Sequence, residues 1–221
     1  MGADAAGFLI VAGSCRNIFR RNLARLGGDG FFIAGLNPRF EFRPCDNNLF
    51  EENDGSYSPN IGFEATFCRG NIFRRNLGTR SRYSIHFMFA KNNLVEENRF
   101  IDNAVGVYFM YTEGGILRNN LISHATGATG MAIGFKEASN AVIEGNEIIY
   151  CAVGIGSDLS PFQPDSKIFI KNNRFAYNGI AVQFTSELGG NIVTDNVFEG
   201  NLTNVVQSGR GKAALNEWRG N

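Results

Sequence analysis

The sequence predicts an all-β fold, a right-handed parallel β-helix of about nine coils. Three observations lead to this prediction. A six-residue phrase recurs along the chain, its copies lie in the low twenties of residues apart, and the segments between them alternate apolar and polar residues. Repeats of this length are typical of stacked-coil proteins. Alternation with a period of two is typical of strands with one buried face.

The recurring phrase is Asn-Ile-Phe-Arg-Arg-Asn at residues 71–76, and its last Asn serves here as the marker of each coil. Successive markers are 31, 23, 22, 22, 26, 27, 23 and 25 residues apart. The nine markers are Asn22, Asn53, Asn76, Asn98, Asn120, Asn146, Asn173, Asn196 and Asn221. Stacked side-chain amides hydrogen-bond one another, and Asn tolerates a left-handed backbone. We therefore expect a ladder of marker residues at a corner.

The residues around each marker predict the core. The position three before the marker is apolar in every copy: Phe19, Phe50, Phe73, Val95, Leu117, Ile143, Ile170, Val193 and Trp218. The position two after it is small at Ala24, Gly55 and Gly78 and large from Phe100 onward, which predicts a thin core in the early coils. A second strand in each coil alternates, with examples at 85–89, 107–111, 133–135 and 180–184.

The bulk composition excludes several classes of function. The 21 Lys and Arg residues balance 21 Asp and Glu residues, so nothing favours nucleic acid or an anionic membrane as a partner. No apolar run has the length of a membrane span, and no signal peptide is visible. Because the repeat runs from end to end, we expect residues 1–221 to form a single domain, a fragment of a longer solenoid. Open coil ends predict end-to-end oligomers or a capping partner.

Three departures from the period predict loops, at residues 30–38, 123–130 and 158–165. The chain also has four cysteines, Cys15, Cys45, Cys68 and Cys151. Cys45 and Cys68 both lie eight residues before their markers, so they should stack on adjacent coils. That placement is compatible with a disulfide or with a pair of stacked thiols. Without any Cys-x-x-Cys spacing, neither a zinc nor a redox motif is supported.

Counting back from the markers predicts two side-chain columns on one exposed sheet face. The position twelve before the marker gives Glu41, Glu64, His86 and Tyr108. The position ten before it gives Arg43, Thr66, Met88, Met110 and Lys136. Inward neighbours of these columns are Phe40, Phe63, Phe87 and Phe109.

These columns allow three functional interpretations. His86, Met88 and Met110 would form an imidazole–thioether group, and such ligands suit Cu(I). Alternatively, Glu41, Glu64, Tyr108 and Lys136 would bind carbohydrate or act on it as a hydrolase, lyase or epimerase. Glycoside hydrolysis needs two carboxylates about 5–10 Å apart. The third interpretation is a structural fragment in which Met packs and the charges are solvated.

Several phrases resemble the NosD-type maturation proteins of nitrous oxide reductase. They lie at 85–89, 105–111, 134–139 and 160–166, and the resemblance covers about residues 82–221. Residues 1–81 resemble generic β-helix coils. The family is similar to β-helix domains of carbohydrate-binding and sugar-cleaving proteins. The resemblance implies a non-catalytic, periplasmic or secreted accessory protein that works with an ABC transporter to assemble a copper–sulfur cluster in a copper enzyme.

Overall fold

A computed structural model describes residues 6–36, 39, 41–207 and 213–221. Its strands pair in parallel from coil to coil and build a solenoid with three sheets, which confirms the predicted all-β class and parallel β-helix. Within the described residues the only helix is the short 3-10 turn Ala213–Leu215. No helix there is long and apolar enough to cross a membrane.

Each full coil contributes one strand to each sheet. Sheet A contains Ala6–Ile10, Asp29–Ala34, Ile61–Thr66, Tyr83–Met88, Val105–Met110, Met131–Lys136, Val153–Asp158, Ile180–Phe184 and Thr203–Gln207. Sheet B contains Ile18–Arg20, Leu49–Glu51, Ile72–Arg74, Leu94–Glu96, Ile116–Arg118, Val142–Glu144, Ile168–Lys171, Asn191–Thr194 and Glu217–Arg219. Sheet C contains Leu77–Thr79, Arg99–Ile101, Leu121–Ser123, Glu147–Ile149, Arg174–Ala176 and Val197–Glu199.

The marker asparagines form the predicted ladder at the corner between sheets B and C. Asn98 is 1% exposed, and its amide nitrogen donates to Asn120 Oδ1 and to the Phe73 carbonyl, both at 2.9 Å. Its own Oδ1 accepts from the backbone and side-chain nitrogens of Asn76, at 2.8 and 3.0 Å. Every polar atom of this buried side chain therefore has a partner, as burial requires.

The backbone at this corner differs from the prediction in one respect. The left-handed residue is the one before each marker, for example Arg75 at φ 52° and Glu97 at φ 57°. The marker itself directs its amide inward, and the preceding residue makes the turn. Gly145 and Gly220 take this place in two coils, where a left-handed backbone costs a glycine little.

The core follows the predicted apolar ladder. Phe50, Phe73 and Leu117 are fully buried in sheet B, and the Phe50 and Phe73 rings stack at 4.9 Å. Sheet C begins only at Leu77, and Gly78 pairs with Phe100, which pairs with Ile122. Ala24 and Gly55 lie in the two coils that have only isolated bridges at this place, whereas Gly78 lies in the first strand of sheet C.

Charged pairs of alternating sign follow the marker ladder on the outside. Arg20 and Arg21 in one coil are followed by Glu51 and Glu52, Arg74 and Arg75, Glu96 and Glu97, and Arg118. The Glu51 side chain is 3% exposed and contacts Arg20 at 2.6 Å, Arg74 at 3.0 Å and also Arg75. A coil shifted in register would place like charges together, so the alternation favours the observed register.

The period breaks become loops, with one correction. The loops at 124–130 and 159–167 agree with the expectation. The first break was placed wrongly, because Gly30 lies inside the strand Asp29–Ala34 and the extra residues follow that strand, up to Cys45. An antiparallel bridge between Leu36 and Phe42 closes this loop, whose residues 37, 38 and 40 lie outside the described part of the chain.

Removing one amide from the middle of the marker ladder should destabilise the fold. Asn98→Ala removes buried hydrogen bonds to Asn76, Phe73 and Asn120 and leaves the Asn76 backbone N–H without its side-chain acceptor, so we expect the free energy of unfolding to fall by about 3 kcal/mol. The matched control is Asn22→Ala, because Asn22 is half-buried and its amide bonds Asn53 on one side. We expect it to cost about 1 kcal/mol. Equal losses in urea unfolding would contradict a cooperative ladder.

The arginine cage around Glu51 should make stability depend on acid pH. Although burial raises the pKa of Glu51, its hydrogen bond to Arg20 and the charges of Arg20, Arg75 and Arg74 leave it below its usual 4.5. A lowered pKa stabilises the fold above the unfolded pKa, and this stabilisation is lost as pH falls through the folded value. Glu51→Gln should therefore destabilise at pH 7 and matter less in acid. Glu113→Gln, at an exposed pair with Lys91, is the control; an equal effect there would contradict the cage.

Candidate functional site

A cavity of about 290 Å³ lies on the outer face of sheet A. Its lining is mixed, with two carboxylates, one cation, an imidazole, aromatic rings and thioethers. The lining residues are Asp29, Phe32, Asn60, Ile61, Glu64, Arg82, Tyr83, His86, Met88 and Met110. All three side chains of the predicted metal group therefore lie on one cavity.

The sheet register explains this convergence. Glu64 pairs with His86 and His86 with Tyr108, so one column crosses three coils. Beside it, Met88 pairs with Met110 in the next column, two residues along the strand. Adjacent strands are about 4.8 Å apart, which brings donors from successive coils within reach of one ligand. The predicted columns from Glu64 and Thr66 onward are thus confirmed.

The prediction was wrong for the first residue of each of the two side-chain columns, Glu41 and Arg43. Phe32 and Ala34, rather than Glu41 and Arg43, pair with Glu64 and Thr66. Because the extra residues follow Ala34, counting back from Asn53 ends in the loop and not in the sheet. Glu41 and Arg43 are exposed there and form an ion pair with each other at 3.6 Å. Glu41 and Glu64 therefore do not occupy paired positions on adjacent strands.

The inward-facing phenylalanines beside these columns lie where they were predicted, within the described residues. Phe63, Phe87 and Phe109 are at most 1% exposed and lie in the core beneath the cavity. Phe40, the fourth residue predicted for this role, lies outside the described residues.

His86 has a side-chain nitrogen without a hydrogen-bond partner. The residue is 9% exposed, and Nδ1 is buried with no partner within hydrogen-bonding geometry. Glu64 Oε1 is the nearest carboxylate oxygen, at 3.5 Å, too far for a good hydrogen bond. Buried polar atoms are rarely left in this condition, so His86 Nδ1 is a candidate ligand atom.

Aromatic rings hold the imidazole in place. The His86 ring is 5.3 Å from Tyr83 and 6.0 Å from Tyr108, measured between centroids. Burial raises the pKa of Tyr108, with a further contribution from Tyr83. The Tyr108 ring lies over Gly134, where a Cβ would be only 2.3 Å from it, so glycine is required beneath this ring. Tyr108 therefore supports the site and does not line the cavity.

Lys136 is separated from the site. It continues the column of Met88 and Met110, but its amino group lies 5.7 Å from the ring centre of Tyr111. It does not line the cavity.

The sequence reasoning missed the acidic end of the cavity. Asp29 is 2% exposed and accepts a hydrogen bond from Asn60 Nδ2 at 2.9 Å. Burial raises the pKa of Asp29, the Asn60 hydrogen bond opposes this, and the charge of Glu64 raises it further. Arg82 covers the Tyr83 ring at 5.0 Å. The signal was present, since Asp29, Ile61 and Tyr83 share one column once the loop is placed after Ala34.

The four cysteines are free thiols. Cys45 and Cys68 are buried at equivalent positions of successive coils, which confirms the stacked pair and not the disulfide. Interaction with Cys45 and burial raise the pKa of the Cys68 thiol. Within the described residues, no three side chains among His, Cys, Asp and Glu converge as a metal-binding group. A copper site here would therefore depend on thioethers or on fewer ligands.

Together these features define a parallel β-helix with a ligand-sized cavity on one sheet. Solved structures show the same fold. The A-module of Azotobacter vinelandii mannuronan C-5 epimerase AlgE4 has a TM-score of 0.68 at 16% identity, over 89% of this chain and 57% of that one. The Paenibacillus sp. str. FPU-7 alginate lyase has a TM-score of 0.53 at 12% identity, over 96% and 90%. At such identities the likeness establishes the fold alone.

A third structure, the Streptococcus pneumoniae surface protein and adhesin PfbA, has a TM-score of 0.61 at 14% identity, over 94% of this chain and 67% of that one. This chain spans 57% of the epimerase module and 38% of a similar glycoside hydrolase. No curated protein matches the sequence.

Residues 11–221 match the family described as periplasmic copper-binding protein (NosD). The chain belongs to this family. The match extends the resemblance from about residue 82 back to residue 11, so the early coils are part of the family sequence as well.

Proposed function

We propose that this protein is a periplasmic, non-catalytic scaffold that binds Cu(I) in the cavity of sheet A. The observation that carries the proposal is the unpartnered, buried Nδ1 of His86 on the same cavity as Met88 and Met110. Imidazole and thioether groups are ligands that Cu(I) accepts, and thioethers bind hard ions poorly. The residues present therefore fit the ion.

Glu64 and Asp29 supply the charge of the site. Glu64 lies 3.5 Å from the imidazole, and its negative charge favours a cation held by His86. Asp29 extends the negative potential along the sheet, and Arg82 at the rim opposes it in part. In this proposal the two carboxylates stabilise the cation through their negative charge and do not bind it directly.

The proposed cellular role follows from family membership. A NosD-type protein would deliver copper during assembly of the copper–sulfur cluster of nitrous oxide reductase, together with an ABC transporter. In this role copper is cargo. The rigid solenoid contributes a fixed set of donors, and the loops at 124–130 and 159–167 provide surfaces for protein partners.

Removing the imidazole and one thioether should abolish Cu(I) binding in the cavity. We expect His86→Ala with Met88→Leu to lose about one equivalent of Cu(I) in an anaerobic titration against a chromogenic chelator. Met131→Leu is the matched control, because Met131 lies in sheet A but does not line the cavity. The proposal fails if the double variant and the control bind Cu(I) equally.

The cavity also supports a second candidate, binding of carbohydrate. Here Asp29 and Glu64, rather than Glu41 and Glu64, are the carboxylates, with Tyr83 as an aromatic platform and Arg82 as a cation. The raised pKa of Asp29 suits a group that keeps or donates a proton, as general acids do.

A panel of neutral and uronic-acid oligosaccharides, measured by calorimetry, tests the second candidate. A bound oligosaccharide should lose about tenfold or more in affinity in Tyr83→Ala, because the apolar C–H face of a sugar packs on an aromatic ring, and about 1.4 kcal/mol corresponds to tenfold in affinity. Tyr150→Ala, an exposed tyrosine on another corner, is the control. Absence of binding across the panel, or equal losses in both variants, would contradict it.

A further inference from the structure

Two buried thiols lie on successive coils beside the loop that follows Ala34. Cys45 is fully buried and Cys68 is 3% exposed. Each lies three residues before an amide of a second asparagine ladder, in which Asn48 Nδ2 donates to Asn71 Oδ1 at 3.1 Å. The two thiols therefore hold equivalent places one coil apart, and the metal proposed for sheet A does not involve them.

The coil spacing is wrong for a disulfide and suitable for a bridging metal. A disulfide needs Cβ atoms about 3.5–4.5 Å apart and sulfurs about 2 Å apart, whereas stacked coils hold equivalent atoms about 4.8 Å apart. Two metal–thiolate bonds of about 2.3 Å in line span about 4.6 Å. At this spacing, an ion that takes two thiolates in a line would fit between the two sulfurs.

The present partners of the thiols are weak. Cys45 Sγ donates to the Ala34 carbonyl at 3.4 Å, and Cys68 Sγ donates to the Thr66 carbonyl at 3.1 Å. Both carbonyls lie at or beyond the ends of sheet A strands, and the thiols are weak donors that give up such bonds at little cost. Deprotonation would leave two soft sulfur ligands facing each other.

A second cavity, of about 220 Å³, reaches one thiol of the pair, that of Cys68. Cys68 lies on its wall with the aromatic rings of Phe42 and Phe67, and with the cations Arg69 and Lys91. Arg69 pairs with Asp46 at 2.9 Å, and Lys91 pairs with Glu113 at 2.8 Å. Each cation is therefore already paired with a carboxylate, and the cavity provides a route to Cys68 and not a counter-charge for the ion.

We propose that Cys45 and Cys68 form a second soft-metal site, which binds one Cu(I) between two thiolates. On binding, both S–H bonds break and two S–Cu bonds form. The two protons pass to solvent, and the oxidation state of copper does not change. Thr66 precedes Cys68 by two residues and pairs with Met88 in sheet A, so the thiol site lies one corner away from the first cavity.

Cu(I) titration of three proteins tests the thiol site. The unmodified chain should bind about two equivalents of Cu(I), and Cys45→Ala with Cys68→Ala should bind about one. Cys151→Ala is the matched control, since Cys151 is a buried thiol with no cysteine stacked on it, and it should bind as the unmodified chain does. Circular dichroism and thermal melting establish that each variant is folded.

X-ray absorption at the copper edge gives a readout that needs no cysteine substitution. In His86→Ala with Met88→Leu, the remaining Cu(I) should have a shell of sulfur alone, at about 2.2–2.3 Å. A nitrogen or oxygen shell, or unchanged stoichiometry in the double cysteine variant, would overturn the thiol site. If only the cysteine variant loses copper, the sheet A proposal fails and the thiol site stands.

Discussion

The hydrogen bond between marker asparagines of successive coils is the interaction on which the rest of this structure depends. Asn76 bonds Asn98 and Asn98 bonds Asn120, each through a buried amide. An amide that slips by one residue would leave buried donors unpaired on both sides, which costs far more than the bond itself contributes. The ladder thus fixes the register of every coil, and the register decides which side chains become neighbours.

Register explains both the successes and the failures of prediction from sequence. Phe73 and Asn76 were placed correctly because equivalent residues occur at the same two positions in every repeat, so no single copy decides the assignment. Glu41 was misplaced because the 31-residue interval between Asn22 and Asn53 gives the number of extra residues but not the point at which they form a loop. The sheet A strand of this coil is Asp29–Ala34 because its apolar residues Phe31 and Ile33 are fully buried in the core.

The same ambiguity hid Asp29. Its column becomes visible only after the loop is moved behind Ala34, when Asp29, Ile61 and Tyr83 align. The unpartnered state of His86 Nδ1 was also beyond sequence reasoning, because it depends on a 3.5 Å separation from Glu64 that only coordinates reveal. Sequence therefore identified His86, Met88 and Met110 as neighbours, while their cavity and its acidic end came from structure.

The outer faces of the three sheets differ in a way that locates function. The corner between sheets B and C carries charges that neutralise one another, such as Glu51 with its three arginines. Sheet A has longer strands, and its outward columns hold groups that do not pair off, among them His86, Met88 and Met110. At the corner between sheets B and C the polar groups bond one another, so few of them can bind a ligand. On sheet A the unpaired side chains are available to a ligand.

The geometry of sheet A also bears on how the proposed cargo would be held. His86, Met88 and Met110 all line one cavity on sheet A, so they would hold Cu(I) from that side of the ion alone. Closed metal sites surround their ion and retain it, whereas open sites keep a position for exchange. An ion held by His86 and two thioethers on one face would therefore be suited to transfer. The thiolate pair at the adjacent corner would bind its ion more tightly, because thiolates are the stronger ligands for Cu(I). Two sites of unequal strength one corner apart would let the solenoid store copper in one and present it in the other.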